Sequence, residues 1–147
     1  FMKKVLIGLV VLYLFFILSV IVRENRKKDY ELNSNPEITI TLVEDTLTPT
    51  SVTVRIQDVS PKQNGYSSAF ILQKYKEDNW QEVDPKQNIR ITAPRIYYVD
   101  ENHELFFTYN WEEYYGKLEQ GRYRLLNPMK EEGASDTTYL ALEFTIA

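Results

Sequence analysis

This 147-residue chain has no cysteine, a single histidine and only five glycines. Without cysteine it cannot form disulfides, thiolate metal sites or a thiol nucleophile. The glycines do not make a phosphate-binding loop, and neither a G-x-S-x-G nor an H-E-x-x-H motif occurs. We therefore expect a protein that is not an enzyme, with no catalytic, cofactor-binding or metal-binding residues.

A few polar residues offer alternatives to that expectation. His103 could be the centre of a Ser-His-Asp triad or a zinc ligand, but it lies in the polar stretch 100–104, which is typical of a solvated turn. The carboxylates of the same stretch could bind calcium, although EF-hand spacing is absent. Glu112 and Glu113 could supply an acid–base carboxylate, but their spacing identifies no second partner.

The charge of the chain is divided unevenly. Residues 1–28 carry six basic residues and one acidic residue, whereas residues 29–147 carry eleven basic and twenty acidic residues, a net charge of −9. An acidic region of this kind argues against nucleic acid as a partner, because phosphate backbones are bound by basic surfaces.

The N-terminal part contains eighteen consecutive uncharged residues, 5–22, between basic flanks. As a helix this run would be about 27 Å long, close to the thickness of the hydrocarbon core of a bilayer. It is longer than the apolar part of a secretory signal, and no A-x-A-like cleavage site follows. The pattern predicts a cytoplasmic stub (1–4), a transmembrane signal-anchor helix (5–22), a juxtamembrane linker (23–36) and an extracytoplasmic domain (37–147) on a single-pass membrane protein.

Beyond Pro36 the apolar residues follow a period of two, which predicts β-strands. We expect strands near 38–43, 52–57, 68–75, 80–83, 96–99, 105–111, 121–127 and 139–146, with a further short strand around Ile89 and Ile91. Loops are predicted at 60–65 and 128–137, and no amphipathic helix is evident. Seven or eight short strands indicate an all-β fold, an antiparallel β-sandwich, with a β-barrel as the alternative.

The most distinctive motif lies between Trp111 and Arg124. Its part Leu118-x-x-Gly121-x-Tyr123 has the form of an immunoglobulin tyrosine corner, in which a tyrosine bonds to upstream backbone. Leu118 would close the end of the core, Gly121 would turn the chain, and Tyr123 would fix the connection.

The wider pattern Tyr115-Gly116-x-Leu118-x-x-Gly121-x-Tyr123-Arg resembles the bacterial immunoglobulin-like domains of exported Gram-positive proteins. A hydrophobic strand followed by Trp80-x-x-Val83 is similar to a hairpin of the same family. The resemblance extends over 38–146 and implies an immunoglobulin-like sandwich and an exported location, not a chemistry. It assigns a structural role to Trp80, Trp111, Tyr115, Gly116, Leu118, Gly121 and Tyr123.

Aromatic residues are numerous, with eleven tyrosines in the chain. Neighbouring residues of a strand point to opposite faces, so adjacent aromatics such as Phe106 and Phe107 cannot share one core. The exposed members either reach water at the edge of the sandwich or form a recognition surface, since Tyr and Trp are favoured in binding sites. The predicted interaction surface consists of Tyr97, Tyr98, Tyr109 and Tyr114.

We therefore predict a membrane-anchored, non-catalytic binding module of a bacterial envelope with an envelope protein as its partner. A surface ligand-binding or inhibitory domain that acts on a hydrolase or toxin is the alternative, with loops 60–67 or 128–137 as candidates for projecting into a target. An uncharacterised enzyme is the third possibility.

Overall fold

The computed structural model describes residues 2–24, 30–86 and 93–147. The strand predicted around Ile89 and Ile91 lies outside these residues. The chain divides into two compact units, Phe1–Tyr30 and Glu31–Ala147.

The first unit contains the helix α1, Met2–Glu24, which is formed by the uncharged run and its flanks. Among the residues that the structure describes, no helix combines the length and the hydropathy needed to cross a bilayer. The predicted transmembrane helix over 5–22 is therefore not supported by the structure.

The second unit is built almost entirely of strands. Its described residues form nine strands and one short helix: β1 Ile38–Leu42, β2 Ser51–Asp58, β3 Gly65–Ser67, β4 Ile71–Lys76, β5 Asn79–Glu82, β6 Ile96–Tyr97, β7 Glu104–Asn110, α2 Glu112–Tyr115, β8 Gly121–Lys130 and β9 Thr138–Ile146. The sequence did not predict β3 or α2. Both are short and have no period long enough to be recognised.

The strands form two antiparallel sheets that pack as a sandwich. The smaller sheet has the order β1-β2-β7, and the larger has the order β5-β4-β8-β3-β6, with β9 along the second edge of β8. The predicted antiparallel sandwich is confirmed, with about nine strands instead of seven or eight.

Alternating side chains of both sheets fill the core between them. On β2 every second residue is buried, beginning with Val52, and on β9 the same alternation begins with Leu140. The two inner faces also bury large aromatic side chains, among them Tyr66, Tyr109 and Trp111. On β2 and β9 this alternation shows directly which residues face outward.

The predicted loop 128–137 is wrong at its start, because β8 continues through Pro128. Pro128 pairs with Tyr139 of β9. The backbone N–H of Tyr139, however, donates to the carbonyl of Glu31 (3.0 Å), and its C=O accepts from the amide of Asn33 (2.9 Å). Both backbone groups of Tyr139 therefore point away from β8, and the Pro128–Tyr139 pair needs no hydrogen bond from Pro128. On its other edge β8 passes here from β4 to β3. The missing N–H of proline therefore falls where the ladder is interrupted.

The folded unit begins earlier than the predicted boundary at 37. Residues 31–33 run parallel to β9, with Leu32 bridged to Tyr139. The side chain of Asn33 accepts from the amide of Ala141 (2.9 Å) and donates to its carbonyl (3.4 Å). The predicted linker 23–36 thus overlaps the folded unit over 31–36.

Candidate functional site

The tyrosine corner is present at the start of β8. The hydroxyl of Tyr123 donates to the carbonyl of Glu119 at 2.9 Å, and the amide of the buried Leu118 donates to the carbonyl of Pro49 at 2.9 Å. Gly121 is the first residue of β8, and a Cβ on it would lie 2.8 Å from Cε of Lys74. These residues join the two sheets at one end of the sandwich and serve the fold.

Trp111 and Gly116 frame α2. Trp111 is fully buried, its indole Nε1 donates to the carbonyl of Pro49 (2.8 Å), and its ring stacks on Phe144 with centroids 5.7 Å apart. Gly116 ends the helix with φ 70° and ψ −157°, a conformation that is essentially restricted to glycine. Tyr115 packs against Phe70, and burial raises the pKa of its hydroxyl. All three residues have structural positions.

The four predicted surface tyrosines do not form one surface. Tyr109 is only 2% exposed and belongs to the core, so it is not available to a partner. Tyr97 packs inward on Phe107 (5.1 Å), and the partly buried Tyr114 lies edge-on to Phe70 at 6.4 Å. Only Tyr98, which is 52% exposed, is largely open to solvent.

Neighbouring aromatics on β7 do point to opposite sides, as predicted. Phe107 contacts Tyr109 inside the sandwich with ring centroids 4.6 Å apart, whereas Phe106 is 56% exposed on the outer face of the smaller sheet. Tyr98 lies instead near Gly65 of the larger sheet. The exposed aromatics of this region therefore lie on different sheets.

A buried carboxylate holds the end of β2. Asp58 accepts hydrogen bonds from the hydroxyls of Ser60 (2.5 Å) and Tyr66 (2.7 Å), the side-chain amide of Asn64 (2.9 Å) and the amide of Ser60 (2.9 Å). Desolvation raises the pKa of Asp58, but these donors together outweigh it and leave the pKa below its usual value. Both carboxylate oxygens accept hydrogen bonds from within the fold. We therefore assign this cluster a structural role.

The polar residues considered for catalysis or metal binding lie apart from one another. His103 is exposed in a turn and has a φ of 62°. In this turn the carboxylate of Asp100 accepts hydrogen bonds from the backbone amides of Asn102 and Glu104. Within the described residues, no group of three or more His, Cys, Asp or Glu side chains could hold a metal ion. Glu112 and Glu113 are exposed in the first turn of α2.

A group of side chains that was not predicted converges on the outer face of the larger sheet. Tyr75 and Trp80 are paired across the β4–β5 hairpin, with ring centroids 5.2 Å apart. The guanidinium carbon of Arg122 lies 5.0 Å from the Tyr75 ring and 5.3 Å from the Trp80 ring. That of Arg124 lies 4.5 Å from the Trp80 ring. We call these four residues the arginine–aromatic face.

The two arginines differ in their polar partners. Arg122 is exposed and bonds to the carboxylate of Glu143 (2.7 Å), which raises the pKa of its guanidinium. Arg124 donates from Nε to the neutral side chain of Gln73 (2.5 Å), and partial burial lowers its pKa. Arginine stays protonated at neutral pH, so Arg124 is a half-buried cation without a bonded carboxylate among the described residues.

Sequence reasoning missed this face because it depends on distant pairing. The β4–β8 register places Gln73 opposite Arg124, about fifty residues along the chain. The period of two could show that Arg122 and Arg124 share a side of their strand, but not which strand lies beside them. Trp80 was therefore predicted only as part of a hairpin.

Comparison with known proteins agrees with the fold. Residues 34–145 match a family model described as "Bacterial Ig-like domain". No curated protein matches the chain.

Proposed function

The chain belongs to the Bacterial Ig-like domain family, and we propose that it is a non-catalytic interaction module of a bacterial envelope that binds a protein partner through the arginine–aromatic face. Arg, Trp and Tyr are the residues most enriched in the energetic centres of protein interfaces. The observation that carries the proposal is the stacking of two arginines on a paired Tyr75 and Trp80 at the surface of a sheet.

The geometry of this face suits binding more than stability. Both arginines are held against aromatic rings, so less side-chain entropy is lost when a partner is bound. An exposed cation–π contact contributes only about 0.5–1 kcal/mol to folding. A cation–π pair on the outer face of a sheet therefore stabilises the fold only weakly, but it holds the arginine in a fixed position in which a partner can bind it.

The alternative of an inhibitory domain is less well supported. Its candidate projecting loops are shorter than predicted, since 65–67 form β3 and 128–130 belong to β8. We therefore retain the interaction module alone.

The envelope location remains part of the proposal and rests on the apolar run 5–22 with its basic flanks. We propose membrane attachment with the second unit outside the cytoplasm. Fractionation of producing cells, followed by protease treatment of intact cells, tests this. Recovery of the chain in the soluble cytoplasmic fraction would contradict it.

Site-specific photocrosslinking tests the binding face. A photoreactive residue at Thr145, which is exposed on β9 and paired with Arg122, reports on a partner at this face without altering it. The matched control places the same residue at Phe106, on the outer face of the other sheet. We expect a defined protein adduct from position 145 and none from 106. Adducts from 106 alone, or from neither position, would overturn the assignment.

A further inference from the structure

Arg124 lacks the carboxylate that its position in the sheet would provide. It is paired in register with Glu143 on β9. The carboxylate of Glu143 instead bonds to Nη2 of Arg122 at 2.7 Å, so Arg124 is left with the neutral oxygen of Gln73 at Nε. Within the described residues, no side chain forms an ion pair with Arg124 or accepts a hydrogen bond from its Nη atoms.

The orientation of this cation is already fixed. Its guanidinium carbon lies 4.5 Å from the Trp80 ring centroid, and Gln73, which holds its Nε, is itself buried. A guanidinium fixed in this way presents its remaining donors as a planar fork, the geometry that matches a carboxylate bidentately. Because the guanidinium already covers this side of the Trp80 ring, stacking of a sugar ring there is disfavoured.

We propose that Arg124 is the anchor for a single carboxylate in an acidic peptide segment of the protein partner, with Trp80 providing the adjacent apolar contact. This inference rests on the proposed function and specifies the chemistry of the same face. The ion pair would give the partly buried Arg124 a directly bonded carboxylate, in addition to its longer-range electrostatic interaction with Glu143. Charge-assisted bidentate pairs are about twice as strong as neutral hydrogen bonds.

The surrounding charges favour one carboxylate over a dense polyanion. Glu82, paired with Gln73, and Glu143 both lie on the outer side of their strands. Residues 29–147 carry a net charge of −9. A phosphate polymer would extend beyond this face and meet the net negative charge of the domain, whereas one carboxylate at Arg124 meets mainly the local cation.

A double-mutant cycle tests the assignment. A random dodecapeptide library displayed on phage is selected on the immobilised full chain, and the selected peptides are synthesised. We expect the selected peptides to share an Asp or Glu, and changing that residue to Asn or Gln should weaken binding about tenfold. Arg124→Gln in the protein should weaken binding of the acidic peptide by the same factor. The two changes should not add, because they remove the same ion pair.

Two further variants separate charge and folding effects. Arg95→Gln makes the same change in charge at another exposed position and should leave peptide binding unchanged. Arg124→Lys keeps the charge but loses the planar fork, so we expect an intermediate loss. Urea unfolding of each variant reports any loss of the fold.

Several results would overturn the proposal. These are selected peptides without a shared acidic residue, additive effects in the cycle, or a selection that yields no binder. Inorganic phosphate competing far better than acetate would indicate a phosphate-bearing ligand instead, and reversible dimerisation lost in Arg124→Gln would indicate a second copy of the chain. An adduct at position 145 whose yield is unchanged by Arg124→Gln would refute the carboxylate anchor while leaving the proposed function intact.

Discussion

The hydroxyl of Tyr123 donates a hydrogen bond to the backbone carbonyl of Glu119 at a distance of 2.9 Å. This bond spans the connection that leads into β8, the strand that pairs with β9, β4 and β3. The position of β8 determines where Arg122 and Arg124 lie, so the corner also supports the arginine–aromatic face.

Replacement of Tyr123 by phenylalanine removes this bond and keeps the stacking of the ring on Phe144. We expect the free energy of unfolding to fall by about 1 kcal/mol, the usual net value of one hydrogen bond. Urea unfolding of the full chain measures the change, with an unchanged m-value. Tyr98→Phe, at a largely exposed residue, is the matched control and should have no effect. Equal losses in the two variants would contradict a specific role for the corner.

The corner and the sandwich were predictable because their signals are local. Leu118, Gly121 and Tyr123 lie within six residues, and the period of two along β2 and β9 identifies a buried face directly. The surface position predicted for Tyr109 rests on its place in a cluster of aromatic residues, some of which must be exposed, and that position is wrong. The burial of Tyr109 is set by the packing of β7 on the other sheet, which one strand cannot show.

The arginine–aromatic face also depends on strand pairing that the local sequence does not reveal. Tyr75 and Trp80 are joined by a tight turn in which Glu77 and Asp78 both have positive φ, so their pairing is a local property. The arrival of Arg124 beside Gln73 depends on the non-local β4–β8 register. Local pattern therefore predicts the hairpin but not the site.

Asp58 should make the free energy of unfolding depend on pH in the acidic range. Its folded-state pKa is lower than the unfolded value of about 3.9, so its contribution is present above that pH and is lost as the pH falls through the folded-state pKa. Asp58→Asn should cost about 1–3 kcal/mol at neutral pH, because it leaves a buried donor without an acceptor. The difference from the unaltered chain should shrink below about pH 4.

Chemical denaturation at a series of pH values checks this expectation. Asp136→Asn is the matched control, since Asp136 is exposed, and it should show no such pH dependence. If Asp58→Asn does not fold, Tyr66→Phe removes one of the donors and should reduce the acid dependence in part. A difference between Asp58→Asn and the unaltered chain that stays constant from pH 7 to pH 3 would show that the buried cluster does not titrate as proposed.

Asn33 should protect the edge of β9 from hydrogen exchange. Its side chain binds both backbone groups of Ala141, in place of a neighbouring strand. Asn33→Ala should raise the exchange rate of the Ala141 amide by up to about tenfold, because one net hydrogen bond is worth 0.5–1.5 kcal/mol. The amide of Thr145 points to the same edge of β9 but lies outside the contact with Asn33. It should therefore exchange at the same rate in Asn33→Ala and in the unaltered chain. Unchanged protection of Ala141 would exclude this contact in solution.

The two tryptophans offer a test of the electrostatics at the arginine–aromatic face. The chain has only Trp80 and Trp111, and Trp111 is fully buried. Quenching of the fluorescence by dissolved ions therefore reports mainly on Trp80, and the Trp80→Phe variant gives the remaining signal of Trp111. Two guanidinium groups beside Trp80 attract anions and repel cations.

Iodide quenches indole more efficiently than caesium does even where no charge is present, so the reference is free N-acetyltryptophanamide. The ratio of the iodide to the caesium quenching constant should be at least about twofold higher for Trp80 than for this free indole at equal ionic strength, although residues 29–147 are acidic overall. Arg122→Gln with Arg124→Gln should remove this preference, because the local potential then follows the acidic surroundings. Arg95→Gln alters the net charge elsewhere and should preserve it. Stern–Volmer plots for both ions measure the effect in each variant. An iodide-to-caesium ratio that is lower for Trp80 in the unaltered chain than for the free indole would mean that Glu82 and Glu143 dominate this face, and an anionic partner would then have no electrostatic basis there.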